Sequence, residues 1–178
     1  MISVDCTDCM IAEPYPYERK WSKRWYSSKF KGPGLRYEVG ISILHGDIVW
    51  INGPFAYGQW PDIKIFLKGG LKDNLAEGER VEADDGYISA DPQYIKSRSG
   101  IFHPELGQNT RNTLRARQET VNKRMKQFGA LSGIFRHTID KHGDVFDAVA
   151  LVTQVAIENG EPLFEVTGYD DKVFRQDN

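Results

Sequence analysis

The stretch Leu35-Arg36-Tyr37-Glu38-Val39-Gly40-Ile41-Ser42-Ile43-Leu44, followed by His45-Gly46-Asp47 and then Ile48-Val49-Trp50-Ile51-Asn52, decides the class of fold. Its Tyr, Val and Ile residues mark a strand, His45-Gly46-Asp47 marks a turn, and the second run is the partner of a hairpin that Gly53-Pro54 ends. Upstream, Met1 to Cys6 reads as a short strand. Downstream, Pro61 suits the first turn of a helix, and Ile63, Phe66, Leu67, Leu71 and Leu75 recur at helical spacing before Gly78. Arg80 to Asp84 reads as a fourth strand running into Asp85-Gly86-Tyr87. Residues 88 to 108 are irregular, with one strand at Tyr94 to Ser97. A helix is predicted from about Asn109 to Phe128, stopped by Gly129, and a last one from Gly143 to Glu158. This order predicts an α/β domain, a mixed β-sheet flanked by helices, over residues 1–165, with a polar tail at 166–178.

A chain of 178 residues, 40% hydrophobic and 27% charged, can build one ordinary core. Disorder, collagen-like repeats and disulfide scaffolds are thereby excluded. The longest apolar stretch, Ala148 to Ile157, is broken by Thr153 and Gln154 and falls far short of the roughly 20 residues of a membrane span. The N-terminus lacks a signal-peptide pattern. No membrane partner is expected. Cys6 and Cys9 form a Cys-x-x-Cys, but they lie on a strand, where i and i+3 point to opposite faces, and 127 residues separate Cys9 from His137. Two ordinary small residues are expected.

The net charge of −2 hides strong segregation. Arg19 to Arg36 contains seven basic residues, among them Lys23, Arg24 and Lys29, and no acid, with Trp21, Trp25, Tyr26 and Phe30 interleaved. Basic side chains bind phosphates and aromatic rings stack on bases, so the mixture fits DNA or RNA. The helix near 109–128 adds Arg111, Arg115, Arg117, Lys123, Arg124 and Lys126 against the single acid Glu119. At roughly 100° per residue Arg115, Glu119, Asn122 and Lys126 share one polar stripe, while Leu114, Val121, Met125 and Phe128 form an apolar stripe able to dock on a sheet.

Asp5 is expected at the end of the first strand and Asp84 at the end of the fourth, where α/β sheets place their sites. Together with Glu119 these carboxylates would repel one another. Mg²⁺ or Mn²⁺ resolves such repulsion, and two ions can serve phosphodiester cleavage. On spacing alone, turn or cap roles for Asp5 and Asp84 and a surface ion pair for Glu119 are the stronger reading.

The motifs, taken in order, resemble the catalytic domain of PIF/Harbinger-type DDE transposases, the DDE superfamily endonucleases. Val4-Asp5-Cys6-Thr7-Asp8 resembles the family's first-strand motif, and Tyr26-Ser27-Ser28-Lys29-Phe30 with Leu35 to Val39 its second. Gly53-Pro54-Phe55 through Gly58-Gln59-Trp60-Pro61-Asp62 resembles the third, and Ala83-Asp84-Asp85-Gly86-Tyr87 the fourth. Arg115-x-x-x-Glu119 with Lys126 and Phe128-Gly129 resembles the Arg, Glu and Lys signature of bacterial insertion-sequence relatives. The 34 residues between Asp84 and Glu119 suit a core without an inserted domain. The resemblance implies an RNase H-like core and a metal-dependent DNA endonuclease. Its catalytic and metal-binding triad would be Asp5, Asp84 and Glu119, holding Mg²⁺ or Mn²⁺, two ions in all. Arg115 and Lys126 would contact phosphates, Asp62 and Asn122 would be accessory, and Asp62 also suits a helix cap. A nuclear location follows from the family.

This sequence departs from the family at Cys6, which replaces a Gly, and at Asn112, which stands where insertion-sequence relatives carry Tyr. It begins at the first motif, without the helix-turn-helix of such enzymes, so the expectation is either a gene fragment or a separate DNA-binding partner protein that supplies DNA recognition. The first alternative is a domesticated or decayed DNA-binding module of the same fold without turnover, the second an RNase H-type ribonuclease and the third an interaction protein that recruits partners; homo-oligomerisation stays open. Asp8 and Asp85 are neighbouring acids that could stand in as ligands, although strand alternation points them away from the Asp5 and Asp84 side. His103, His137 and His142 read as ordinary surface or core histidines, and Trp50 as core. Trp21 and Trp25 read equally as stacking on DNA or as packing their loop on the sheet.

Overall fold

Strand β1 (Ile2–Met10) lies at the centre of the sheet because both of its edges are taken. On one side β3 (Gly32–Ser42) runs antiparallel to it from Ile2↔Ser42 to Met10↔Gly34. On the other, β5 (Val81–Ala83) runs parallel to it and stops at Val4↔Ala83. β4 (Ile48–Ala56) pairs antiparallel with β3, and so does the short β2 (Tyr26–Ser27), while β6 (Ile95–Lys96) pairs parallel with β5. The computed structural model describes residues 1–14, 23–77, 79–87, 95–96 and 108–166, with the backbone alone at 85, 95–96 and 108–111.

Three departures from the sequence reading have plain causes. β1 runs four residues past Cys6 because β3 is long enough to pair with all of it. β4 continues through Gly53-Pro54 to Ala56, held at Arg36↔Phe55 and Leu35↔Ala56. The single helix expected from Pro61 to Leu75 is two, α1 (Asp62–Lys68) and α2 (Leu71–Asn74), because Gly69-Gly70 interrupts it with Gly70 at φ +100°. The remaining helices are α3 (Gln108–Met125), α4 (Gly129–Ser132) and α5 (Asp140–Glu158). Helix α3 thus ends at Met125, short of the Phe128 expected, and Gly129 is not its stop but the first residue of α4. The strand expected at Tyr94 to Ser97 appears as β6, its ends lying outside the described residues, as does the tail from 167.

Alternation along β1 divides the core. Val4 packs with Phe66, Leu71, Val81 and Tyr87 on the α1–α2 side, joined by half-buried Cys6. Cys9 and Ile11 pack with Leu35, Tyr37, Val39 and Ile41 of β3 against Val121 and Met125 of α3 and Phe146, Val149 and Ala150 of α5. Cys6 and Cys9 therefore face opposite ways, as the i, i+3 argument expects, and neither is in a disulfide. Of the apolar stripe on α3, Leu114, Val121 and Met125 are buried, whereas Phe128, beyond the helix end, is 40% exposed. Arg117 and Gln118 are buried too, which the sequence did not show. Arg117 donates to the Ile43 carbonyl, and Gln118 Nε2 donates to the Val39 carbonyl at 3.0 Å, so both side chains tie α3 to β3. His142 is a core histidine stacked on Tyr37, whose hydroxyl lies 2.7 Å from its Nδ1. Trp25 packs against the larger core, the second of its two readings, while Trp21 and His103 lie outside the described residues.

Candidate functional site

The site lies where β5 ends. Asp5 sits in the middle of β1, not at its end, but it is the first β1 residue beyond the Val4↔Ala83 pairing, so the end of a strand is still what opens beside it. Asp84 follows directly on Ala83. Its Oδ1 accepts the Gly86 N–H at 2.8 Å, capping the short 3₁₀ turn Asp85–Tyr87. Burial, and next the charge of Asp84, push the Asp5 carboxyl up to about 6. Asp5 Oδ1 accepts its neighbour's N–H (Cys6, 2.8 Å), and its Oδ2 accepts the Asn122 amide at 3.0 Å. The opposite atom of that amide, Oδ1, is buried without a partner.

Asp62 is the third acid here. It is the first residue of α1 and does not cap it: the N-cap position is Pro61, and no side chain caps that helix. A methyl group added to Gly86 would lie 2.5 Å from Asp62 Oδ2 and 3.0 Å from Asp84 Oδ1, so both carboxylates close over the Gly86 backbone. Burial raises the Asp62 carboxyl, and the Arg36 guanidinium opposes that rise. Arg36 donates to Asp62 Oδ1, to Asp8 Oδ1 at 2.7 Å and to Asp8 Oδ2 at 3.3 Å, and it lies 4.1 Å from the Tyr57 ring centroid. Asp8 is on the α1 face of β1, away from Asp5, and is the anchor of Arg36.

The polar stripe on α3 is in register with this site. Asn122 reaches Asp5, and Lys126 comes close enough to respond to Asp8 and Asp5: burial lowers its ammonium, Lys29 adds to that, and both acids oppose it. Lys29 lies 3.9 Å from Asp8. Arg115 and Glu119 are 64% exposed and pair with each other at 3.0 Å. Glu119 is therefore one helical turn from Asn122 on the same face but turned to solvent and Arg115. Asp5 and Asp84 are brought together; Glu119 is not with them. Among the described residues no three His, Cys, Asp or Glu side chains are gathered into a group that could hold a metal ion. Lys23 and Arg24 are exposed, and the Asp85 side chain lies outside the description.

Sequence reasoning missed Arg36 as the centre of the acidic network, and Glu38. Glu38 is buried on the α1 face, with Trp50 Nε1 donating to it at 3.0 Å and Tyr87 Oη at 3.4 Å. Burial lifts its carboxyl to about 7. An acid between Tyr37 and Val39 in a strand paired on both edges was the available signal. No protein-family model, curated protein or solved structure matches the chain.

Proposed function

We propose that this chain is a divalent-metal-dependent DNA endonuclease, a transposase-derived domain with an RNase H-like core. The observation that carries the reading is the meeting of Asp5 and Asp84, far apart in sequence, at the end of a parallel strand pair, with the Asp5 carboxyl raised by burial and by Asp84. The strand order β4-β3-β1-β5-β6, antiparallel up to β1 and parallel after it, agrees with such a core. All-oxygen donors suit Mg²⁺ or Mn²⁺. Each Asp5 oxygen already accepts one hydrogen bond, the arrangement that orients a ligating carboxylate. Bound ions would activate the attacking hydroxyl and stabilise the leaving oxygen.

The protein's own part is to hold the acids. Asn122 orients Asp5, and Arg36 holds Asp62 beside Asp84. Glu119 completes the triad by leaving Arg115, and an exposed i, i+4 pair of this kind opposes that by only about 0.3–0.5 kcal/mol. Arg115 is then free for phosphate, alongside Lys126, Lys29, Lys23 and Arg24. A nuclear setting belongs to this reading. The second reading, a decayed DNA-binding module, is favoured by one observation, the Arg115–Glu119 pair standing away from the other two acids.

Thermal unfolding with and without millimolar Mn²⁺ separates them, on wild type, Asp84→Asn and Glu119→Gln. Metal at 100 times its Kd adds about 2.7 kcal/mol, or roughly 5–10 °C for a domain of this size. A rise in wild type that Asp84→Asn loses, together with Mn²⁺-dependent nicking of duplex DNA, is expected. Identical melting of wild type and Asp84→Asn, with no nicking, would sink the endonuclease.

A further inference from the structure

Two segments that are separate in sequence form one basic and aromatic surface beside the acids. The turn Tyr57–Gln59, which leads through Trp60-Pro61 to Asp62, lies against β2, whose Tyr26 is 49% exposed. A methyl group added to Gly58 would fall 2.0 Å from the Lys23 carbonyl oxygen and 3.0 Å from that of Arg24, so the backbone of the basic segment rests directly on Gly58. Phe55 and Trp60 pair at 4.8 Å between ring centroids, and Lys64 Nζ stands 4.3 Å over the Trp60 ring while donating to the Gln59 carbonyl. Phe55, Tyr57 and Trp60 belong to none of the three hydrophobic core clusters. Phe55, Tyr57 and Trp60 are half-buried, and the Lys64 head on the Trp60 ring stands where a stacked base would lie; it is displaced more cheaply than a base is held by stacking.

We infer that Phe55 and Trp60, with Lys64, form a subsite for an unpaired nucleotide of single-stranded DNA next to the bond to be cut. This rests on the endonuclease reading and adds to it the state of the DNA that is preferred. Aromatic surface stacks on any exposed base but has no access to bases inside a duplex, so rings outside the core and next to Asp62 favour frayed or single-stranded flanks. The base takes the Lys64 position on the Trp60 ring, and the ammonium is left for the adjoining phosphate. Lys23, Arg24 and Lys29, on the neighbouring segment, continue the basic track.

The test is equilibrium binding of the full chain, in EDTA, to a fluorescent single-stranded oligonucleotide and to a blunt duplex of the same sequence, for wild type, Trp60→Ala and Trp60→Phe. Trp60→Ala is expected to weaken single-strand binding about tenfold while changing duplex binding less than about twofold, the loss of one stacked base. Trp60→Phe keeps a ring and serves as the folded control, retaining most of the single-strand affinity. Equal losses on both probes, or no loss on either, would overturn the subsite; the endonuclease then stands or falls on Mn²⁺-dependent nicking of duplex by wild type, read separately without EDTA. Failure of wild type to bind the single strand would overturn the subsite, and absence of Mn²⁺-dependent nicking in the separate assay would overturn the endonuclease.

Discussion

Replacing Arg36 with Gln tests whether the acidic site depends on one buried cation. The Arg36 side chain is 11% exposed, Asp8 5% and Asp62 20%. Removal leaves two largely buried carboxylates facing each other, with Lys29, 3.9 Å from Asp8 and 62% exposed, and Lys126 near Asp8 to offset them in part. Breaking a buried pair by removing one partner costs about 3–5 kcal/mol, because a charge is left uncompensated. Asp62 has some access to water, so the lower end, about 3 kcal/mol, is expected here. Urea denaturation at pH 7 reads this directly from the midpoint and slope. Adding Asp8→Asn to Arg36→Gln removes one orphaned charge and should return about 1 kcal/mol or more, a coupling visible in the double-mutant cycle. The sign with pH follows. Without Arg36 the Asp62 carboxyl rises further, so the penalty grows as pH climbs through its titration and shrinks in acid, where the carboxylate is protonated. A loss below about 1 kcal/mol, or no recovery on adding Asp8→Asn, would refute the view that Arg36 holds this site together.

Glu38→Gln should change the pH dependence of stability. The native Glu38 carboxyl is lifted from 4.5 to about 7 by burial, so wild type loses stability as pH rises through that window. The variant should not lose it, and should be about 3 kcal/mol more stable than wild type at pH 8; parallel melting profiles from pH 4 to 8 would contradict this. Gly86→Ala places a methyl 2.5 Å from Asp62 Oδ2 and 3.0 Å from Asp84 Oδ1. It should cost about 1–3 kcal/mol in urea unfolding and reduce the Mn²⁺-induced rise in melting temperature. Phe146→Ala removes a fully buried ring stacked 3.7 Å from Tyr37, and should cost about 3–5 kcal/mol without altering the Mn²⁺ response per molecule still folded.

The parts of this fold legible in the sequence are those set by local pattern. The run from Leu35 and the turn at His45-Gly46-Asp47 announce a hairpin, because β-branched and aromatic residues and a Gly-Asp turn act over a few residues. The helical arithmetic that put Arg115, Glu119, Asn122 and Lys126 on one stripe holds, since Asn122 reaches Asp5 and Lys126 lies near both Asp5 and Asp8. The long-range partners were not legible. Arg36 reads as one more base in a basic segment until β1 and β3 pair Asp8↔Arg36 and α1 brings Asp62 to it. Arg117 reads as part of a cationic face, yet the turn after β3 offers it a carbonyl to satisfy inside the core. Glu119, which spacing alone read as a surface ion-pair member, takes Arg115 one turn back on its own helix.

The short length of β5 is what joins these observations. Strand alternation sends Asp5 toward α3 and Asp8 toward α1, so a longer β5 would keep the acids of the two faces apart behind a continuous sheet. Because β5 stops at Ala83, Asp84 leaves the sheet plane beside Asp5, and the 3₁₀ turn it caps carries Gly86 under Asp62. Asp5 accordingly responds to Asp84 and, more weakly, to Asp62 and Asp8, which belong to the other face. Arg36 and Asn122 then act from opposite sides of the sheet on a single group of charges, Arg36 neutralising it and Asn122 orienting it. That is why the strand end, more than any one acid, is the feature on which the functional reading rests.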